Sequence, residues 1–134
     1  MSPPTPRELI LAATRGEALD VVPAALWQHF PGRDTSSDAL AESVVAHQRT
    51  CRFDLVKITF ASGYPAEAWG ARMGPGNGIE GTRQYVRHAI GAPEDWRGLA
   101  ELEPESSGLA RELATVRRVR VAVGRQVVVR GPFV

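Results

Sequence analysis

Three short apolar runs each follow a segment with helical spacing, and this alternation limits the possible folds more than any other feature. The runs are VVPAALW at 21–27, LVKITF at 55–60, and a third over 127–131 within QVVVRGPFV. Strands that alternate with helices are joined by crossovers and pair in parallel, so the expected class is α/β. Pro23 removes a ladder donor from the first run, which suits the start or edge of a sheet. The helices carry their own start and stop signals. In TPRELILAATRG, Thr5 is an N-cap, Pro6 takes the first helical position and Glu8 completes a capping box. Leu9, Ile10 and Ala13 form its apolar face, and Gly16 ends it. SDALAESVVAHQRTCRF sets Leu40, Val44, His47 and Cys51 on one side of a helix. SGLARELATVRRVRVAVG spaces Leu109, Leu113, Val116 and Val123 helically before Gly124. Between the second and third strands, GPGNGIEG marks turns and TRQYVRHAI reads as one arm of an inserted hairpin. APEDWRGL follows as a short helix with acids in its first turn.

At 134 residues the chain is read as a single domain, 1–134. A net charge of +1, with 23% charged residues, offers no bulk attraction to nucleic acid or to a membrane surface. No apolar stretch approaches the roughly 18 residues that span a bilayer, and MSPPTPREL lacks the shape of a signal peptide. The one cysteine, Cys51, allows no intrachain disulfide and suits a reducing compartment. A cytoplasmic setting is the expectation.

Within LVKITF, alternate residues face opposite sides of the sheet. Val56, Ile58 and Phe60 form an apolar set suited to packing beneath helices, while Leu55, Lys57 and Thr59 face the other way. Lys57 is the one lysine among 16 basic residues, and an interior lysine is rarely left unpaired. The same phase turns Val128 and Arg130 to the Lys57 side. Sites on parallel sheets gather at C-terminal strand ends. His29 and Arg33 follow the first run there, and Tyr64, Glu67 and Trp69 follow the second. Lys57, Arg130, His29, Arg33 and Tyr64 are therefore candidate contacts for a carboxylated ligand, which arginine clamps bidentately. A structural ion pair with acids from other strands is the alternative for Lys57 and Arg130. Glu67 is a candidate general acid or base if desolvated, and otherwise a solvated acid in a helical turn. His47 and Cys51 share a helix face but lack a third ligand, so packing explains them better than a metal. GPGNGIEG lacks the lysine and Ser/Thr of a phosphate loop, and a hairpin turn explains it better.

Four segments, RELILAATRGEALDVVPAALW, FDLVKITFASGYPAEAWG, APEDWRGL and LARELATVRRVRVAVGRQVVVRGPF, occur in the order that resembles the N-terminal part of the uroporphyrinogen decarboxylase superfamily. That superfamily includes heme-pathway decarboxylases and corrinoid-linked methyltransferases. The resemblance implies about three βα units of a (β/α)8 TIM barrel, a fold of about 250 residues, with an inserted hairpin. It implies a truncated or split member that is not competent alone, completed by a second chain or self-associating. The implied ligand is a tetrapyrrole, a corrinoid-bound methyl group or another small carboxylated molecule. Two departures point away from the decarboxylases. Their arginine-rich loop corresponds to QHFPGRD, where only Arg33 is comparable, and their essential aspartate falls on Ala61. The methyltransferases hold zinc through a histidine and cysteines late in the barrel. No cofactor is therefore expected within this chain, and zinc only through a C-terminal half. The methyltransferase-like branch fits better. A stand-alone α/β module that binds a small anion without catalysis, and a non-functional remnant, are the alternatives.

Overall fold

The computed structural model describes residues 3–76, 80–105 and 107–131. Asn77, Gly78 and Ile79 of the glycine-rich turn, and 132–134 of the last apolar run, lie outside the described residues. The first helix, α1 (Pro6–Thr14), starts as its capping box requires. Glu8 N donates to Thr5 Oγ1 at 3.3 Å, and Thr5 N donates to Glu8 Oε2 at 2.7 Å. Its buried residue is Ala12, whereas Ala13 is exposed. Arg7 N donates to Gln126 O at 2.9 Å, which ties α1 to the approach of the last strand.

VVPAALW does not form the expected strand; it is an extended segment without regular pairing. Asp54 N donates to Ala24 O at 3.0 Å, but Ala24 N donates to the Asp54 carboxylate at 2.8 Å. A side-chain oxygen replaces the next ladder carbonyl, and Pro23 has no N–H to continue. Pairing stops after one backbone bond. Val21, Val22, Leu26 and Trp27 are each more than half exposed.

Helix α2 (Ser37–Cys51) begins at Ser36, whose Oγ accepts from Ala39 N at 3.4 Å. It stops at Arg52, which lies in the left-handed region at φ 54°. Gln48 Nε2 donates to Phe53 O at 2.7 Å and directs the chain into β1 (Leu55–Lys57). After β1 come α3 (Tyr64–Ala68), β2 (Arg72–Gly76), β3 (Arg83–Arg87), a 3-10 helix (Pro93–Gly98), α4 (Ser107–Val123) and β4 (Val128–Arg130). β1 and β4 pair in parallel, with Leu55, Val56 and Lys57 opposite Val128, Val129 and Arg130. Ile58 N donates to Arg130 O at 2.8 Å and extends the pairing slightly. The architecture is α/β with parallel strands. Two of the three expected strands form, each shorter than its apolar run. β2 and β3 form the inserted antiparallel hairpin.

One face of the β1–β4 pair carries the core. Val56, Ile58 and Phe60 pack with Leu40, Ala41 and Val44 of α2 and Val119 of α4. Leu40, Ile58 and Val119 are fully buried, each contributing about 1.5–3 kcal/mol relative to exposure. Leu55, Lys57 and Thr59 are only partly buried, so the period-2 phase holds. The inward face of α4 centres on Glu112, Thr115 and Val119, with Leu109, Leu113, Val116 and Val123 at its flanks. His47 sits between the rings of Phe30 and Phe53, at 6.1 Å and 5.6 Å, while Cys51 at the end of α2 is exposed.

Candidate functional site

Past Ile58 the chain leaves the sheet and turns at Gly63 (φ 79°) into α3. A Cβ at Gly63 would lie 2.7 Å from Met73 Cε, so the turn needs glycine for both conformation and space. Pro65 in the first turn supplies a preset φ. Tyr64 packs edge-on against Phe60, with ring centroids 5.2 Å apart. Phe60, Gly63, Tyr64, Pro65 and His29 line an open cavity of about 210 Å3 at the C-terminal end of β1. Thr59, Ala61 and Ser62 complete its lining. The hairpin is fastened to this lining: Arg83 N donates to Ser62 Oγ at 2.8 Å, and Ser62 Oγ donates to Gly81 O at 3.3 Å. Gly81, at φ 70°, packs so tightly on His29 that a Cβ there would sit 2.7 Å from His29 Cβ.

Two polar atoms of this lining are buried without a partner among the described residues: His29 Nδ1 and Thr59 Oγ1. Buried polar atoms are nearly always hydrogen-bonded, so the two orphans are unused hydrogen-bonding capacity beside the cavity, reached by a ligand only when neighbouring atoms shift. The threonine hydroxyl can donate and accept, and the imidazole nitrogen can do either according to tautomer. Burial pushes the Tyr64 phenol above its ordinary value, and the Glu112 charge adds to that effect. Tyr64 therefore keeps its proton in the neutral range.

The other sequence-selected residues go elsewhere. Lys57 places its ammonium 4.0 Å from the Trp27 ring centroid, a cation–π contact. Arg130 is its register neighbour on β4 and is exposed. Arg33 fastens its loop to α2, donating to Ala39 O at 3.3 Å, Glu42 Oε2 at 2.8 Å and Ser43 Oγ. Glu67 accepts from Arg83 Nη1 at 2.9 Å and Nη2 at 2.7 Å, and so ties α3 to the hairpin. The pair is partly shielded, at 11% exposure for Arg83 and 22% for Glu67. Trp69 donates its indole N–H to Ala100 O at 2.8 Å.

Sequence reasoning did not single out Asp34, Arg83 or Glu112, of which Asp34 and Glu112 are buried. Glu112 had a visible sign, an acid spaced with Leu109, Leu113 and Val116 on one helical stripe. The link from Glu67 to Arg83 joins separate elements and leaves no local pattern. Among the described residues no group of three or more His, Cys, Asp or Glu is placed to hold a metal. Cys51 Sγ and His47 Nδ1 lie 3.8 Å apart as a pair alone, so these residues do not fit a zinc site. Among the described residues no helix is long and apolar enough to cross a membrane.

No protein-family model matches the sequence, and no curated protein matches it significantly. Among solved structures, the chain is similar to a methyltransferase from Methanosarcina mazei, with a TM-score of 0.76 and 21% identity. The match covers 96% of this chain and 42% of the methyltransferase. At that identity the likeness establishes the fold, and the chain spans less than half of that protein's length.

Proposed function

We propose that the chain forms the N-terminal portion of a methyltransferase-like (β/α)8 TIM barrel of the uroporphyrinogen decarboxylase superfamily, and that the β1-end cavity helps to hold a corrinoid-bound methyl group. The observation that carries this reading is the fold likeness, with a TM-score of 0.76 over 96% of the chain. The cavity supports it by position, since barrels hold their sites at C-terminal strand ends. His29 and Thr59 offer hydrogen bonds to a polar edge of the ligand, while Phe60, Ala61 and Pro65 give an apolar wall beside it. A bound corrinoid supplies the methyl group. The protein's part is to orient it and exclude water. No step is assigned to zinc, because the described donors do not form a site.

Methyl transfer is favoured over tetrapyrrole decarboxylation for an electrostatic reason. Decarboxylation through a protonated pyrrole needs a carboxylate beside the developing positive charge. Ala61 is buried in the cavity wall and carries only a methyl group. Glu67 has both oxygens engaged by Arg83. Losing one well-placed electrostatic group costs on the order of 10²–10³ in rate.

Titration calorimetry of the chain with methylcobalamin tests the proposal. Saturable binding is expected, weakened about fivefold by Thr59→Val or His29→Ala, the loss of roughly one hydrogen bond. Arg117→Ala, in an exposed ion pair with Glu105, should bind as the wild type does. No measurable binding, or equal binding by all the variants, would reject it.

A further inference from the structure

A second cavity, also about 210 Å3, opens where α3 packs on α4. Phe60, Tyr64, Leu109, Leu113 and Val116 make its wall apolar, and Glu112 brings the carboxylate. Glu112 is only 4% exposed. Its Oε1 accepts from Arg111 Nε at 2.9 Å and Nη2 at 2.6 Å, but its Oε2 is buried with no hydrogen-bond partner among the described residues. Leaving a charged group's oxygen unsatisfied is costly, and Arg111 answers only half of the need.

Charge balance points the same way. Asp34, Glu67 and Glu112 form one electrostatic neighbourhood with Arg83 and Arg111. Three acids face two guanidiniums, and Arg83 is already engaged bidentately by Glu67. Among the described residues, the group with all its members ionised carries one more negative charge than positive. We propose that this cavity binds a small organic ammonium ion, whose N–H donates to Glu112 Oε2 and whose apolar body fills the space between Leu109, Leu113 and Val116. Ammonium–carboxylate bonds are about twice as strong as neutral ones. A neutral alcohol of the same shape satisfies the oxygen more weakly, and a carboxylate is repelled. The volume is below the roughly 300 Å3 of pockets for drug-sized ligands, so the fitting class is short alkylammonium ions. Burial raises the Glu112 carboxyl above its ordinary value, with Arg111 opposing. A bound cation reverses that effect.

The experiment follows the methyl NMR signals of Leu109, Leu113 and Val116 in the whole chain during addition of n-butylammonium. 1-Butanol and butyrate serve as comparators. The expected result is saturable shifts with butylammonium, far weaker with butanol and none with butyrate. Glu112→Gln should lower the affinity about tenfold or more, as for loss of a charged hydrogen bond. Val116→Phe fills the cavity while keeping the carboxylate, and should also abolish binding. Absence of saturable shifts in the wild type, an equal response to butanol, or unchanged affinity in either variant would overturn the proposal. The contrast between amine and alcohol in the wild type decides the matter even if a variant does not fold. The two cavities share Phe60 and Tyr64, but neither Glu112 nor Val116 lines the β1-end cavity, so these variants leave the residues of the corrinoid test unchanged.

Discussion

Thr59 and His29 reach the same cavity by routes of very different legibility. The strand's alternation turns Thr59 away from the apolar set, so its side is readable from six letters of sequence. The place of His29 depends on Gly81, 52 positions later by residue number, and on a hairpin that latches through Ser62. Gly81→Ala should therefore destabilise the protein by about 2 kcal/mol from the left-handed backbone alone, with the His29 contact adding to the loss. Urea unfolding would measure it. Lys57 was visible as a lone strand lysine, but its partner Trp27 comes from a run that reads as a strand and is not one. Glu112 gives a prediction with a definite sign. Its folded-state carboxyl is raised from the ordinary 4.5, first by desolvation. Its contribution to stability is fully present below 4.5 and is lost as the pH climbs through the raised value. Glu112→Gln should flatten that decline, and unfolding midpoints across acidic to neutral pH would reveal a wild-type slope that the variant lacks.

Elements with internal signals were the most readable. α1 starts at its capping box, and Thr5→Ala should cost about 1 kcal/mol by removing the cap. β1 is set by its alternation, and its parallel pairing follows from the helix-rich crossover between β1 and β4. The segment 21–27 has the composition of a strand, but a strand exists only where a partner backbone accepts its ladder. Here Asp54 supplies a side chain and Pro23 supplies no donor. The apolar spacing of α4 picks out residues that flank its most buried stripe, with Val116 and Val123 packed against the core, while Glu112 and Thr115 lie buried between them. One comparison tests this account of which elements bear weight. Ile58→Ala, at a fully buried β1 position, should cost about 2–5 kcal/mol. Val22→Ala, at 84% exposure, should fall within about 0.5 kcal/mol of wild type. A large loss at Val22 would show that the first run carries packing after all.

For the whole molecule, the sheet that supports the site has only two parallel strands among the described residues, with Val21, Val22, Leu26 and Trp27 exposed nearby in the chain. Exposed apolar side chains and short unpaired strand edges favour association. Sedimentation should therefore show concentration-dependent self-association, reduced in a Leu26→Glu variant. The overall class was legible because helices and apolar runs alternate. The cavity was not, because its walls come from the loop before α2, the turn after β1 and the start of α3, and the hairpin only braces them through Ser62 and His29. The three histidines test the central claim directly, since they occupy three different settings. His29 lines the β1-end cavity, His47 lies between Phe30 and Phe53, and His88 stacks on Tyr85 at 4.5 Å. Histidine-selective 15N NMR during addition of methylcobalamin should shift the His29 ring signals saturably and leave those of His47 and His88 in place. An unmoved His29, or a shift confined to His88 on the hairpin, would contradict the assignment of the site.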